Sequence, residues 1–186
     1  MDFTLVRPDA VRAINQRWLL KFWKRNRGAG GIPPWQAIEA ENLTRVSDNL
    51  SFLDVTGDGE IKRFRIRHHG PGIAKVYGAP DCGGQFLDQV ILRDRHPTGL
   101  MPYYRAYSSG QPVYTICDVR DKSGRLIHFE RLILPFCGDG QAVERILACF
   151  EFVCEDGAYD ATALIKLQSG AQTLRLCAMI DAPAVA

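Results

Sequence analysis

The sequence predicts an α+β domain: one five-stranded antiparallel sheet, short helices on one side of it, and an amphipathic helix at the N-terminus. Three observations lead there. Leu50 to Val55 and Ile61 to Arg67 are strand-like runs separated by Thr56-Gly57-Asp58-Gly59, which is hairpin turn chemistry. Three later runs, Pro112–Val119, Leu126–Leu134 and Val143–Phe152, follow one another across the polar turns Asp121–Gly124 and Cys137-Gly138-Asp139-Gly140. Between the two sets lies a stretch rich in glycine, proline and short apolar clusters. Helices grouped between sets of antiparallel strands are an α+β pattern.

Length and composition bound the reading. The chain has 186 residues, 46% hydrophobic and 24% charged, which is ordinary for one globular domain with appendages. A domain of this size buries roughly 70% of its unfolded surface, so it requires no disulfide or metal staple. No apolar run approaches the roughly 20 residues of a membrane span, and Met1-Asp2-Phe3-Thr4 lacks the order of a signal peptide. A cytoplasmic location is therefore expected. The six cysteines show no C-x-x-C spacing, and free, buried thiols are expected. Net charge is only +2, but residues 1–35 hold seven basic and two acidic side chains, leaving −3 for the remainder.

The elements follow in order. Pro8 and Asp9 suit a helix start, and Val11, Ile14, Trp18 and Phe22 fall at spacings of three and four, on one face. The glycines from Gly28 onward, then Pro33 and Pro34, end that helix. Its four apolar residues are the candidate interface, either with the chain's own domain or with a second copy. An anionic membrane surface is the weaker alternative, and no nucleic-acid motif supports a third. Trp35 to Arg45 reads as a helix. Leu50–Val55 is a modest strand, and Phe64 and Ile66 alternate with Arg63, Arg65 and Arg67, a half-buried strand. Short helices are expected over Gly72–Tyr77, Phe86–Leu92 and Gly99–Ser108, with a loop over Gly78–Gln85. Of the late strands, the middle one ends at Pro135. The tail from Asp160 onward holds two apolar runs, to be packed as helix or strand, over the sheet or against a second copy.

This order resembles the PAS sensor fold. The chain is similar to a bacterial PAS-like family whose members begin with a Trp-rich helix and carry a Glu-Arg-Leu-x-Leu-Pro signature. The matching features are Trp35, Leu50-Ser51-Phe52-Leu53-Asp54-Val55, Phe64-Arg65-Ile66-Arg67, Gly70, Gly78, Gly84 and Glu130-Arg131-Leu132-Ile133-Leu134-Pro135. The likeness spans about residues 15–153. It departs at Gly70-Pro71-Gly72, where a small or hydroxyl residue should follow the first glycine, and residues 155–186 have no counterpart. The organisation it suggests is an N-terminal helix and linker over 1–34, a PAS-like domain over 35–153 and a C-terminal extension over 154–186.

The resemblance implies a non-catalytic sensory or protein-interaction module. Its sheet and helices enclose a small pocket, and its N-terminal helix mediates homodimerisation. The pocket candidates are Arg65, Arg67, Tyr103, Tyr104, Tyr107, Tyr114, Cys117, Glu130 and Arg131. Glu130 and Arg131 are strand neighbours, so they face opposite sides; one is directed to the helical side, where Arg suits a carboxylate or phosphate and Glu a cation. No cofactor is assigned. Cys82-Gly83-Gly84-Gln85-Phe86-Leu87 is superficially like a flavin photosensor motif, but Cys82 precedes the glycine and the Arg and Asn that hold the flavin are absent. A haem-binding histidine is missing from Gly99–Ser108, with His96 just outside it. His68 and His69 point to opposite faces, so they do not share a metal. The alternative is a small α+β enzyme using Tyr114, Asp118 and His128 for acid–base work in the same cavity, although no nucleophile, phosphate-loop or metal motif accompanies them.

Overall fold

The computed structural model describes residues 2–28, 31–57, 62–78, 82–165 and 172–181. Its strands are β1 (Thr4–Val6), β2 (Leu50–Thr56), β3 (Arg63–His69), β4 (Val113–Arg120), β5 (Leu126–Cys137), β6 (Val143–Cys154) and β7 (Thr173–Ile180). Its α-helices are α1 (Ile14–Asn26), α2 (Trp35–Glu39), α3 (Pro71–Tyr77), α4 (Leu87–Val90), α5 (His96–Gly99) and α6 (Met101–Ser109). All seven strands form one sheet in the order β1-β7-β4-β5-β6-β2-β3. The α+β class holds, and the two early and three late strands lie in one antiparallel array with α3 to α6 between them in sequence. That is the arrangement implied by the resemblance.

The strand count is corrected from five to seven among the described residues. The tail supplies β7, antiparallel to β4, and the N-terminus supplies β1, which pairs parallel with β7. The sheet is therefore mixed. The tail's second apolar run neither covers the sheet nor leaves it; it extends its edge, where an unpaired β4 backbone would otherwise need partners.

Both faces are covered, and strand parity sorts the residues. Val113, Cys117, Ile127, Phe129, Ile133, Ala148 and Phe150 face α3 to α6. Tyr114, Ile116, Leu132, Leu134, Leu147 and Cys149 face α1 and α2. β5 is the centre of this arrangement: eleven of its twelve residues are buried. A strand enclosed on both sides reads as a near-continuous apolar run, and β5 does so except at His128, Glu130 and Arg131.

Several boundaries shift. The N-terminal helix begins at Ile14, not at Pro8; Pro8–Ala10 is a single 3-10 turn, and Val11 is extended. Val11 is wholly buried in the α1-side core, and the backbone N–H of Arg12 meets the Tyr114 hydroxyl, so the break satisfies both the core and a buried phenol. The expected helix over Trp35–Arg45 stops at Glu39. β5 runs through Pro135 to Cys137, with Pro135 opposite Ile146. Pro135 brings no ladder N–H of its own, and its carbonyl accepts a 2.6 Å hydrogen bond from Trp23 Nε1. Asp58 and Gly59 of the first turn, and Ile61, lie outside the described residues.

Gly70 and Gly72 acquire a physical reason. The Gly70 N–H donates to Leu50 O at 2.8 Å, which presses this corner against the 3-10 turn Ser47–Asn49. A Cβ on Gly70 would overlap the carbonyl oxygens of Ser47 and Asp48, and one on Gly72 would sit 2.8 Å from Asp48 O. The Gly70 clash is with backbone and cannot be relieved by a rotamer, whereas at Gly72 the nearest atom is the Asn49 Oδ1 side-chain oxygen at 2.5 Å. Gly70→Ala is expected to lower the unfolding free energy by about 1–3 kcal/mol, read from urea denaturation; an unchanged midpoint would show that the corner is not tightly packed.

Candidate functional site

A cavity of about 180 Å³ opens between the sheet and the helical middle. Cys117 of β4 with Phe129 and Arg131 of β5 form its floor. Tyr77, Cys82, Gln85, Val90, Ile91, Leu92, Arg95, Thr98 and Gly99 form its helical wall, and Ile165 and Gln172 of the tail complete it. The tail is fixed there by backbone: Ala163 N–H donates to Lys75 O, and Ile165 N–H donates to Val76 O, at the C-terminal end of α3. Arg95 Nη1 donates to Ile165 O across the wall.

Arg131 is the polar centre of this space. It is only 2% exposed. Its Nη1 donates to Gly99 O and its Nη2 to Thr98 O, both at 2.8 Å, which ties α5 to the floor of the sheet. The guanidinium lies 5.0 Å from the Tyr103 ring centre and 6.0 Å from that of Phe129, at cation–π distances. Burial pushes the thiol of Cys117 and the phenols of Tyr77 and Tyr103 up, and Arg131 only partly opposes this. All three stay protonated at neutral pH.

One residue earlier, Glu130 points to the opposite face. It is 1% exposed and accepts a 2.6 Å hydrogen bond from the Tyr114 hydroxyl. Burial and then that hydrogen bond push the Tyr114 phenol up, so it remains the donor. Gln16 of α1 reaches over the pair, its Nε2 donating to Glu130 O and Cys149 O at 3.3 and 3.0 Å. Beside them Asn15 Nδ2 donates to Glu151 Oε1 at 3.1 Å. Burial raises the Glu151 carboxyl, the Asn15 hydrogen bond opposes that, and nearby Glu130 adds to the rise. The start of α1 is thus seated on the Glu130 and Cys149 carbonyls and on the half-buried Glu151 carboxylate.

The expected pocket residues divide accordingly. Cys117 and Arg131 line the cavity, and Tyr103 backs Arg131. Tyr104 packs on Phe64 and donates its hydroxyl to Lys62 O, and Tyr107 is half-buried against the same core. Tyr114 and Glu130 belong to the α1 side. Arg65 and Arg67 lie on the face away from the cavity and converge on Asp54, at 3.8 and 3.1 Å. Among the interface candidates, Val11 and Phe22 are buried within the protomer, Trp18 is half-buried, and Ile14 is 69% exposed. Tyr77, Arg95, Thr98 and Ile165 were not anticipated. Arg95 sits in Arg93-Asp94-Arg95, where nothing in the sequence separates the buried arginine from an exposed one. Cys82 stands on the wall, but no asparagine does among the described residues.

The acid–base residues of the enzymatic alternative do not meet in the cavity. Asp118 and His128 have the parity of Tyr114 and Glu130, on the opposite face. There His128 Nδ1 lies 2.9 Å from Asp118 Oδ1, and Arg175 Nε lies 2.5 Å from Asp118 Oδ2. Among the described residues no three metal-ligating side chains cluster, and no helix is long and apolar enough to cross a membrane.

No family model and no curated protein sequence matches the chain. Two solved structures are similar at a low level. One is a light-oxygen-voltage domain studied with a flavin analogue: 16% identity, TM-score 0.42, covering 66% of this chain and 87% of that one. The other is the dark structure of the LOV domain of the blue-light photoreceptor Aureochrome1: 15% identity, TM-score 0.41, covering 72% and 92%. At these values nothing about ligand or chemistry transfers.

Asp118 generates a test of its surroundings. Burial alone would raise its carboxyl, but hydrogen bonds from His128 and Arg175 outweigh this and hold it below the ordinary value. A depressed folded pKa adds stability above the unfolded value of about 3.9 and loses it as pH falls through the folded one. Asp118→Asn is therefore expected to be less stable than the wild type at pH 7, with the two converging below about pH 4. A gap that stays constant in thermal melts across that range would contradict the assignment.

Proposed function

We propose that this chain is a PAS-like, non-catalytic sensory or protein-interaction module of a bacterial cytoplasm. It binds a small molecule in the cavity and acts as a homodimer, or on a separate signalling protein, through its N-terminal helix. One observation carries the reading. A single central strand presents Arg131 to a cavity on one face and Glu130 to the seat of α1 on the other. A domain that binds on one side and packs its helix on the other is built to relate the two. The relation is a population shift, and a ligand biases the helix only by its differential affinity for two arrangements of it. No nucleic acid and no membrane surface enters this reading. The enzymatic alternative is disfavoured because its titratable groups stand on the face away from the cavity.

The interface half of the proposal narrows to Ile14 and Trp18, since Val11 and Phe22 are consumed by the protomer's own core. Ile14→Glu removes nothing from that core. Native mass spectrometry of the full chain is expected to show a dimer that retains a small molecule, and Ile14→Glu to give a monomer with an unchanged melting temperature. A wild-type monomer, or an Ile14→Glu dimer, would remove α1 from the interface. A chain that releases no small molecule on denaturation, and that no compound stabilises, would remove the ligand.

A further inference from the structure

We propose that the cavity takes a small molecule with a carboxylate at one end of an apolar body, and that Arg131 receives the carboxylate. This inference rests on the small-ligand reading above. A guanidinium cannot shed its charge in a protein, so a buried one must be matched. Among the described residues no carboxylate forms an ion pair with Arg131. Thr98 and Gly99 carbonyls use two of its five N–H groups, the Tyr103 hydroxyl oxygen also accepts from it, and its Nε is buried with no hydrogen-bond partner.

The surrounding acids do not supply the missing charge. The thiol of Cys177 is pushed up to about 11 by burial, against the opposing influence of Arg131. Tyr77, Tyr103 and Cys117 are also held protonated, so none of these four groups offers Arg131 a negative charge at pH 7. Glu130 is adjacent in sequence but across the sheet, committed to Tyr114. Arg95, 5% exposed, places a second guanidinium on the same wall. The remaining wall is largely apolar: Val90, Ile91, Leu92, Phe129 and Ile165. One cationic end and an apolar remainder match an acid with a hydrocarbon body. The 180 Å³ volume is below the roughly 300–1,000 Å³ of clefts that hold drug-sized ligands, which keeps that body short.

Isothermal titration of the full chain tests this, using straight-chain monocarboxylates from butanoate to octanoate, each against its primary amide. Acid and amide share shape and differ in charge. The acids are expected to bind at least about tenfold more tightly, because only they neutralise the buried guanidinium. Arg131→Met is expected to erase that preference, weakening the acids more than the amides. Because Arg131 also ties α5 to the sheet, the variant can fail to fold; the Nε–H resonance of Arg131 in the wild-type protein then decides, and it is expected to shift on adding the best acid. Amides binding as tightly as acids, or an unmoved Nε–H signal, would overturn the carboxylate assignment and leave a small-ligand cavity standing. No binding by either series would overturn it too. A retained molecule without an acidic group, found by native mass spectrometry, would do so while upholding the ligand reading itself.

Discussion

The burial of β5 on both faces is the constraint on which this structure depends. A strand sandwiched between two hydrophobic layers has no solvent side on which to leave a charge. Yet this strand carries Glu130 and Arg131 in succession, at 1% and 2% exposure. Buried charges are tolerated only when hydrogen-bonded and compensated. Each therefore recruits its own environment. Glu130 draws the hydroxyl of Tyr114, and Gln16 caps the backbone beside it. Arg131 draws the Thr98 and Gly99 carbonyls and two aromatic rings. The result is two polar centres back to back, each fastening a different helical layer to the same strand.

How far was this visible in the sequence? The alternation of Phe64 and Ile66 with arginines and the dense apolar run after Leu126 specified strands directly, because period and burial are local properties. So was the opposite orientation of Glu130 and Arg131, which follows from strand parity alone. The helix stops at Gly78 and Gly110 were equally legible, and both glycines adopt the left-handed conformation that ends a helix. What was not legible depends on partners distant in sequence. β1 is three residues long and exists only because β7 lies beside it; β7 exists because β4 needed an outer neighbour. Neither has a local signature strong enough to stand alone. The late start of α1 has the same origin, since Val11 leaves the helical path to fill a core assembled from β4, β5 and β6.

The site shows the same division. Cys117 and Arg131 stand as pocket candidates in the sequence together with Tyr114 and Glu130, which strand parity puts on the opposite face. Arg65 and Arg67 alternate as well as any residue in the chain, yet their face is the outer one, where both meet Asp54. Alternation identifies two faces without saying which is which. The helical wall is harder still. Tyr77, Arg95 and Thr98 sit on short turns whose relative placement is set by tertiary packing, and Ile165 arrives from a tail of no recognised pattern.

The two walls of the cavity differ in kind, and the difference bears on how an occupant would be felt. The floor consists of long strands paired on both sides, with β5 opposite β6 over eleven positions. The wall consists of α4 and α5, each four residues long, and a tail segment held to α3 by two backbone hydrogen bonds. Helices that short are not stable by themselves in water. They persist because their apolar residues pack and because Arg131 holds the Thr98 and Gly99 carbonyls. Any group that competes for the Arg131 N–H donors acts directly on that attachment. An occupant would therefore alter the wall more readily than the floor, and α5 first. The floor would transmit little by bending. What it contributes is a fixed frame in which the two faces share one strand, so a change in the demand on Arg131 is met one residue away from the Glu130 carbonyl on which Gln16 of α1 rests.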